Sequence, residues 1–518
     1  MTSKAIPRFH PTFGSLALAL LLTAICGAET EGPRKAPNIL FIMADDHTSQ
    51  AIGAYGSRLA KLNPTPNIDA LANNGMRFDR VFCNNSICTP SRASIITGQY
   101  PQTNGVLDLK GNISPDRQFL PMEMKKAGYQ TAMIGKWHLK MEPAAFDYYC
   151  VLPGQGKYFD PDFRIRGDKP WPGNVIEKTG QHSSDAITDI SLEWLRNDRD
   201  KIKPFFLMHH FKAPHDMFSN AKRYDDYLED VEIPEPENLL DRPDGSAGSR
   251  GLGSGLRKDA TWFLGKRIGI SSELDEPAYA KACYQEYLKL YLRCVKGVDD
   301  NVARLVEHLK ETGELDNTVI IYTGDQGFFL GEHDLMDKRW MYEEAMRMPF
   351  IVHWPEGCDR GQVNDWLINN SDFAPTMLDL AGVSKTPDYM QGHSFAAALK
   401  GGGKPDDWRE VTYYRYWMHM AHRLSVPAHF GIRSERHKLI FFYGIDNQDP
   451  GNNPTPASWE FYDLEKDPKE MNNLYSDLSY EQIIEVMKSQ LKQTREAIGE
   501  TDRKYPGIQK VIDSNWDN

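Results

Sequence analysis

Four short apolar runs constrain the fold of this chain more than any other feature of its sequence. They are Asn38–Ala44, Tyr129–Gly135, Pro204–His209 and Thr318–Thr323. Each has the length of a strand and is apolar on both faces, which is typical of strands buried in a parallel sheet. Helical patterns lie between them, such as Asp299–Leu309 with its apolar residues on one face. The alternation predicts an α/β fold with a doubly wound sheet.

The C-terminal part of the sequence has a different pattern. The Gly401–Pro405 stretch is a candidate boundary, and the aromatic-rich segment Tyr413–Tyr443 alternates as antiparallel strands do. Ser476–Lys492 reads as an amphipathic closing helix. The glycine-rich segment Asp244–Leu256 is expected to be a surface loop of the larger domain. We therefore predict a smaller C-terminal antiparallel-sheet subdomain over residues 401–518.

The first 28 residues resemble an export signal, with a basic start at Lys4 and Arg8, an apolar run and small residues at the end. The prediction divides the chain into a signal peptide (1–28), a catalytic domain (29–400) and the subdomain (401–518). An exported protein would be periplasmic or secreted. No later stretch is expected to span a membrane, and the net charge of −12 argues against nucleic-acid binding. Six cysteines would remain after cleavage, and their spacing does not reveal any pairing.

Polar residues follow each of the four predicted strands. They are Asp45 and Asp46, Lys136 and His138, His215, and Asp325 and Gln326. Ligands of open α/β sheets bind at the carboxyl ends of the strands, where these side chains would meet. The oxygen donors among them suit Ca²⁺ or Mg²⁺ better than Zn²⁺. Taken singly, each group could equally cap a helix or face solvent.

A cysteine near this set is predicted to begin a helix. In the segment Ser86–Arg92, Thr89 is a candidate cap, Pro90 fits the first turn, and the helix is expected to stop at Gly98. Cys88 would then lie at the positive end of the helix dipole, with Arg92 one turn further on. The alternative is a small buried cysteine without a chemical role.

The segment Cys88-Thr89-Pro90-Ser91-Arg92, continuing to Thr97-Gly98, resembles the C-x-P-S-R…T-G signature of type I sulfatases. Further blocks along nearly the whole chain are similar to that family, including those around Asp45, Lys136, His215, Asp325 and Lys338. The resemblance implies a large alkaline-phosphatase-like domain with a smaller C-terminal sheet. It also implies that a maturation enzyme oxidises Cys88 to Cα-formylglycine.

The resemblance implies a role for each site residue. One Ca²⁺, with Mg²⁺ as the alternative, would be bound by Asp45, Asp46, Asp325, Gln326 and modified Cys88. The catalytic residues would be Cys88, Arg92, His138 and His215. Sulfate would be surrounded by Lys136, His138, His215 and Lys338. One hydroxyl of the hydrated aldehyde would attack sulfur, and the second would allow the aldehyde to reform.

The function predicted from the sequence is hydrolysis of sulfate esters on a carbohydrate. The substrate would be a glycosaminoglycan or other polysaccharide fragment, with N-acetylglucosamine 6-sulfate as one candidate. A phosphonate monoester or phosphodiester hydrolase and a non-catalytic glycan-binding module are the alternatives. Candidate sugar contacts are Arg415, His419, His422 and Arg433, although the same segment could equally be core packing.

Overall fold

The computed structural model describes residues 1–2, 5–7, 36–247, 254–260 and 264–517. The predicted signal peptide therefore lies almost entirely outside the described residues. Residues 36–518 form one compact unit. Within the described ranges, no helix has both the length and the apolar character that crossing a bilayer requires.

The strands are β1 Asn38–Asp45, β2 Met76–Phe82, β3 Gln130–Lys136, β4 Tyr148–Leu152, β5 Asp162–Ile165, β6 Val175–Glu177, β7 Phe205–Pro214, β8 Thr318–Gly324, β9 Phe329–Leu330, β10 Met336–Asp337, β11 Arg347–His353, β12 Gln362–Asn364, β13 Ile368–Asn369, β14 Thr412–Tyr416, β15 His429–Arg433, β16 His437–Phe442 and β17 Ser458–Asp463. The helices are α1 Pro66–Asn73, α2 Cys88–Thr97, α3 Pro101–Asn104, α4 Phe119–Lys126, α5 Ser183–Glu193, α6 Leu264–Arg267, α7 Ala278–Glu311, α8 Glu343–Met346, α9 Phe373–Leu380, α10 Ala396–Leu399, α11 Glu481–Ile498 and α12 Pro506–Asn515.

The large sheet has the strand order β12-β2-β11-β8-β1-β7-β3-β4-β5-β6, with β13 paired to β2. The four strands predicted from the apolar runs are neighbours at its centre, in the order β8-β1-β7-β3, and all three of their pairings are parallel. Successive residues of β1 alternate between two hydrophobic cores, one on each face of the sheet. Burial on both faces explains why these runs are continuously apolar. The predicted α/β class is confirmed.

A separate antiparallel sheet in the order β14-β15-β16-β17 confirms the expected strands after residue 412. One face of this sheet joins the core of the large sheet, through residues such as Tyr414 and Phe442. Its other face packs with apolar residues of α11 and α12. The sheet is therefore covered on both sides, and the exact boundary at residue 401 stays a prediction.

Two local predictions were wrong in part. The described residues of the Asp244–Leu256 segment lack helix and have only isolated bridges, but several are buried, among them Ala247 and Leu256. The backbone N–H of Ala247 donates to Glu460 of the C-terminal sheet, which holds the segment inside. The second error concerns the cap of α2: the helix begins at Cys88 itself, after an extended Ile87. The Thr89 hydroxyl instead donates to the carbonyl of His138 over 3.1 Å.

Candidate active site

The site is built where the four central strands end. Asp45 ends β1, Lys136 ends β3, His215 follows β7 and Asp325 follows β8. The residue after β1, Asp46, has a φ of 63°, so the chain turns sharply out of the sheet at that point. Its backbone N–H donates to Oδ1 of Asp325 over 3.1 Å. This turn brings the polar groups from β1 and β8 together.

Three buried carboxylates form the centre of the site. Oxygen atoms of Asp45, Asp46 and Asp325 lie within 4.8 Å of one another, and all three side chains are excluded from solvent. Burial raises the pKa of Asp46 to about 7, although nearby Lys338 acts in the opposite direction. Carboxylates crowded in this way repel each other unless cations are close. The cluster is therefore a possible site for a metal ion.

The donor atoms of this cluster fit a hard divalent cation. Oδ1 of Asp45 and Oε1 of Gln326 are both buried and accept no hydrogen bond. The side-chain amide of Gln326 donates to Asp46, which fixes the residue beside the carboxylates. Buried oxygens without partners are costly, and Ca²⁺ or Mg²⁺ prefers such ligands. A second group, formed by Asp45, Cys88 and His215, adjoins the first through their shared Asp45.

Cys88 is the first residue of α2 and is 2% exposed. The helix ends at Gly98, as predicted, because that glycine adopts φ 66° at the C-cap. Burial raises the pKa of the Cys88 thiol to about 12, and the charge of Lys338 only partly offsets this. An unmodified thiol in this position stays protonated at neutral pH.

Three buried basic side chains surround the carboxylates. Arg92 donates from Nε to Oδ2 of Asp325 over 3.0 Å and from Nη1 to the carbonyl of Lys136 over 2.6 Å. The ammonium of Lys338 lies 2.6 Å from both oxygens of Asp46, and that of Lys136 pairs with Asp45.

The pKa values of Lys136 and Lys338 are changed in opposite directions. Burial, followed by the charge of Lys212, holds the pKa of Lys136 well below its usual value. Burial also opposes the charge of Lys338, but its pKa is raised because Asp46 is so close.

Two histidines complete the site. Nδ1 of His215 lies 2.6 Å from Oδ1 of Asp216, and its Nε2 lies 3.8 Å from Asp46. Burial lowers the pKa of His215 to about 3, with further lowering from Lys136 and Lys338. His138 has φ 55°, and its Nδ1 is buried without a hydrogen-bond partner. Burial and the charge of Lys136 lower its pKa as well.

A cavity of about 200 Å³ opens onto Cys88. Its polar lining includes the predicted residues His215, Lys338 and His422. It also includes four residues that sequence reasoning missed, namely Gln155, Asp216, Asp337 and Arg339. Asp216, Asp337 and Arg339 are each next to a predicted residue in the sequence. That adjacency was the only feature of the sequence that could have indicated them. Gln155 lies in the loop after β4 and carried no signal.

The four candidate sugar contacts lie in different surroundings, and only His422 lines this cavity. His422 lines the cavity, and its Nδ1 lies 3.3 Å from Nη2 of Arg339. Arg415 is fully buried, pairs with Asp502 and stacks on Trp417, so it belongs to the core of the C-terminal subdomain.

The other two are also held away from the cavity lining. The ring of His419 forms hydrogen bonds with the backbone of Asn453 and Ala428. Arg433 forms an ion pair with Glu343, and its guanidinium lies over the ring of Phe82. Arg415, His419 and Arg433 therefore make contacts within the protein and do not line this cavity, so their role as sugar contacts stays a prediction.

A family model described as Sulfatase matches residues 37–383. A second, described as N-sulphoglucosamine sulphohydrolase, C-terminal, matches residues 331–497. The chain belongs to the sulfatase family. Sulfatases are sulfuric ester hydrolases, and the signature cysteine of this sulfatase lies at its carboxylate cluster.

Known proteins match this sulfatase in sequence over most of its length. It is 38% identical to an N-acetylglucosamine-6-O-sulfatase of Bacteroides thetaiotaomicron, over 96% of this chain and 93% of that protein. It is 28% identical to an N-acetylglucosamine-6-sulfatase of Homo sapiens, over 80% and 73% of the respective chains. A solved complex of a protein with its substrate D-glucosamine-2-N,6-O-disulfate has a TM-score of 0.81 and 38% identity, and covers 90% of this chain and 99% of that chain.

Proposed function

We propose that this sulfatase removes the 6-O-sulfate of N-acetylglucosamine or a related glucosamine in a glycosaminoglycan or other polysaccharide fragment. The observation that carries the proposal is the position of Cys88. It begins a helix at one end of a cavity whose walls carry Lys338 and His215, beside three buried carboxylates. The names of the relatives support glucosamine 6-sulfates as the substrate class.

Conversion of Cys88 to formylglycine is part of the proposal. Its hydrated aldehyde would supply the nucleophile that a protonated thiol cannot supply. The raised pKa of Cys88 supports this, because the unmodified side chain would not ionise in its buried position. A maturation enzyme would carry out the oxidation. Arg92, held by Asp325 and by the Lys136 carbonyl, would steady the modified side chain.

We further propose that Asp45, Asp46, Asp325 and Gln326, with modified Cys88, hold a divalent cation, Ca²⁺ or Mg²⁺. The buried oxygens without partners on Asp45 and Gln326 support this assignment. When bound, the cation would stabilise charge that builds on the sulfate oxygens.

The remaining polar groups would handle the sulfate and the leaving group. Lys136, Lys338, His138 and His215 would bind the sulfate, and preorganised cations of this kind favour a transition state with charge on oxygen. His215 lines the cavity and would protonate the departing sugar oxygen. His138 would help to deprotonate the second hydroxyl.

At the cavity wall, His422, Asp337 and Arg339 are the groups placed to meet the sugar hydroxyls. Arg339 is held by Asp337 over 2.8 Å and by the Tyr416 hydroxyl over 3.0 Å. A side chain fixed from both sides presents its remaining donors in one direction, which favours discrimination between sugar isomers.

Export to the periplasm or outside the cell, after removal of residues 1–28, is also proposed. The basic and apolar composition of that segment supports it.

The test is a desulfation assay with glucosamine and N-acetylglucosamine sulfated at the 3-O or the 6-O position, together with galactose 6-sulfate. We expect turnover of the 6-O-sulfated glucosamines only. Faster turnover of an aryl phosphonate than of any sulfated sugar would instead support a phosphonate monoester hydrolase. Activity on 3-O-sulfates alone would contradict the proposed position.

A further inference from the structure

Asp216 is the cavity residue that contacts a proposed catalytic group. Its carboxylate Oδ1 lies 2.6 Å from Nδ1 of His215, and its backbone carbonyl lies 2.8 Å from the same nitrogen. Both of these oxygens are acceptors, so Nδ1 of His215 must carry a proton. The other ring nitrogen, Nε2, is then the atom available to the reacting groups, and it lies 3.8 Å from Asp46.

The charge of Asp216 is maintained by its surroundings. Burial opposes ionisation, but the hydrogen bond and charge of His215, together with Lys338 and Lys212, lower its pKa below the usual value. Its second oxygen lies 4.0 Å from Nη1 of Arg267. The other carboxylate of the cavity wall, Asp337, pairs with Lys338 and Arg339. Asp216 is thus the wall carboxylate that directs its charge at the histidine.

We propose that Asp216 is a positioning residue for the leaving-group histidine, fixing the tautomer and ring orientation of His215. The inference rests on the proposed function, in which the His215 imidazolium acts as the acid. Burial, Lys136 and Lys338 oppose that protonated form, whereas the Asp216 carboxylate and the negative charge of a bound sulfate favour it. As the ester S–O bond breaks, its electron pair stays on the sugar oxygen, which takes the proton from Nε2. The imidazole becomes neutral and keeps its Nδ1 proton. Asp216 remains ionised throughout, as an orienting carboxylate does in a catalytic triad.

A double-mutant cycle on N-acetylglucosamine 6-sulfate tests the inference. Asp216→Asn should lower kcat roughly 10- to 100-fold, as loss of the hydrogen-bond partner that orients a metal-bound histidine does. KM should change little, because the substrate keeps its contacts. In a His215→Ala background, Asp216→Asn should have no further effect, since no ring remains to be oriented. Additive losses in the double variant would overturn the proposal.

The leaving group gives a second measurement on the same variants. The phenolate of 4-nitrophenyl sulfate departs without protonation, so Asp216→Asn should affect its kcat far less. Equal loss on both substrates would show a merely structural role. Asp185→Asn is the matched control: that carboxylate pairs with Arg223 over 2.6 Å outside the cavity lining. The control should retain the kcat of the native protein on both substrates.

The outcomes separate this inference from the proposed function. If the native protein turns over no sulfated sugar, the proposed substrate is wrong, and the cycle is then run on aryl sulfates of graded phenol pKa. If His215→Ala is selective for poor leaving groups and Asp216→Asn is not, only the positioning role fails. If His215→Ala affects good and poor leaving groups equally, His215 is not the acid and the inference fails with it.

Discussion

At the residue scale, the site depends on side chains whose chemistry is changed by burial. Burial raises the pKa of the unmodified Cys88 thiol to about 12 and that of Asp46 to about 7. Neither residue could act as a free amino acid would in water. In the proposed function each one is completed by a partner, which is oxidation to formylglycine for the thiol and nearby cations for the carboxylate.

The modification of Cys88 is directly measurable. Peptide mass spectrometry of active protein should find formylglycine at position 88, and Cys88→Ala should abolish turnover because no second hydroxyl is available. Cys358→Ala, another buried free cysteine, should retain the kcat of the folded protein. Full activity in protein that carries an unmodified Cys88 thiol would contradict the mechanism.

The two histidines should differ in their dependence on the leaving group. His215→Ala should lower kcat on a sugar sulfate by roughly 10²–10⁴, the usual contribution of a positioned acid, and should affect 4-nitrophenyl sulfate far less. His138→Ala should affect both substrates alike, because its step follows departure of the alcohol. Steady-state kinetics of both variants on both substrates provide the comparison. Reversed selectivity would exchange the two roles.

At the element scale, parallel strands deliver distant residues to one edge. β1, β3, β7 and β8 are neighbours, so their carboxyl ends meet at the same edge of the sheet. Close packing at this edge requires glycine in one strand. Gly135 of β3 has φ 102°, and an added Cβ would lie 1.9 Å from the carbonyl oxygen of His210 in β7. Any larger residue there would separate β3, which ends at Lys136, from β7, which His215 follows.

Because β1 and β8 each deliver carboxylates to the same cluster, removing the cation should destabilise the fold. A cation present at about 100 times its Kd stabilises a protein by roughly 2.7 kcal/mol. EDTA should therefore lower the Tm and abolish activity, and Ca²⁺ or Mg²⁺ should restore both. In Asp325→Ala the Tm should no longer respond to either ion. A metal-free sample with full activity, or restoration by Zn²⁺ alone, would refute the proposed site.

At the scale of the whole molecule, the C-terminal sheet is enclosed between the large core and two helices. The enclosed face contains charges: Arg415 and Arg495 both pair with Asp502, and Glu500 accepts a hydrogen bond from Gln102 over 2.6 Å. Buried pairs of this kind tolerate poorly the loss of one partner. The charged cluster therefore links the sheet to the segment that follows α11.

Arg415→Ala should lower the free energy of unfolding by about 3–5 kcal/mol, because Asp502 loses one of its buried partners. KM of the folded protein for the sugar should not change, since Arg415 lies outside the cavity lining. Arg503→Ala is the control, because Arg503 is 74% exposed on its side chain and pairs with Glu496 at the surface. A raised KM without loss of stability in Arg415→Ala would restore Arg415 as a sugar contact.

Glu500 should make stability depend on pH. Burial raises its pKa in the folded state from the usual 4.5 to about 7, although the charge of Arg415 acts in the opposite direction. The folded chain therefore holds a proton that the unfolded chain releases, and stability falls as pH rises between these values. In Glu500→Gln the loss should be smaller, because the contribution of this one carboxyl is removed. Urea unfolding at pH 5 and pH 8 measures the difference, and an equal pH dependence in both proteins would contradict it.

The sequence by itself determined the four central strands and most of the site. Short runs of apolar residues bounded by polar blocks are typical of strands that are buried on both faces inside a sheet. The residues after each run therefore had to meet at one edge, and the cluster of carboxylates could be predicted for that reason. The end of α2 could also be predicted from a local signal, because glycine is suited to the left-handed C-cap that Gly98 adopts.

Only the tertiary structure decided which charged residues face the cavity. Asp46 and Asp325 are 279 positions apart and meet as the pattern predicted, but the pattern gave no side-chain direction. Arg415 and His422 both lie in an aromatic-rich segment, yet one is enclosed by the sheet and the other lines the cavity. Asp216 becomes significant only because its oxygen is directed at His215. Those contacts depend on how loops fold over the sheet, which no local pattern of the chain specifies.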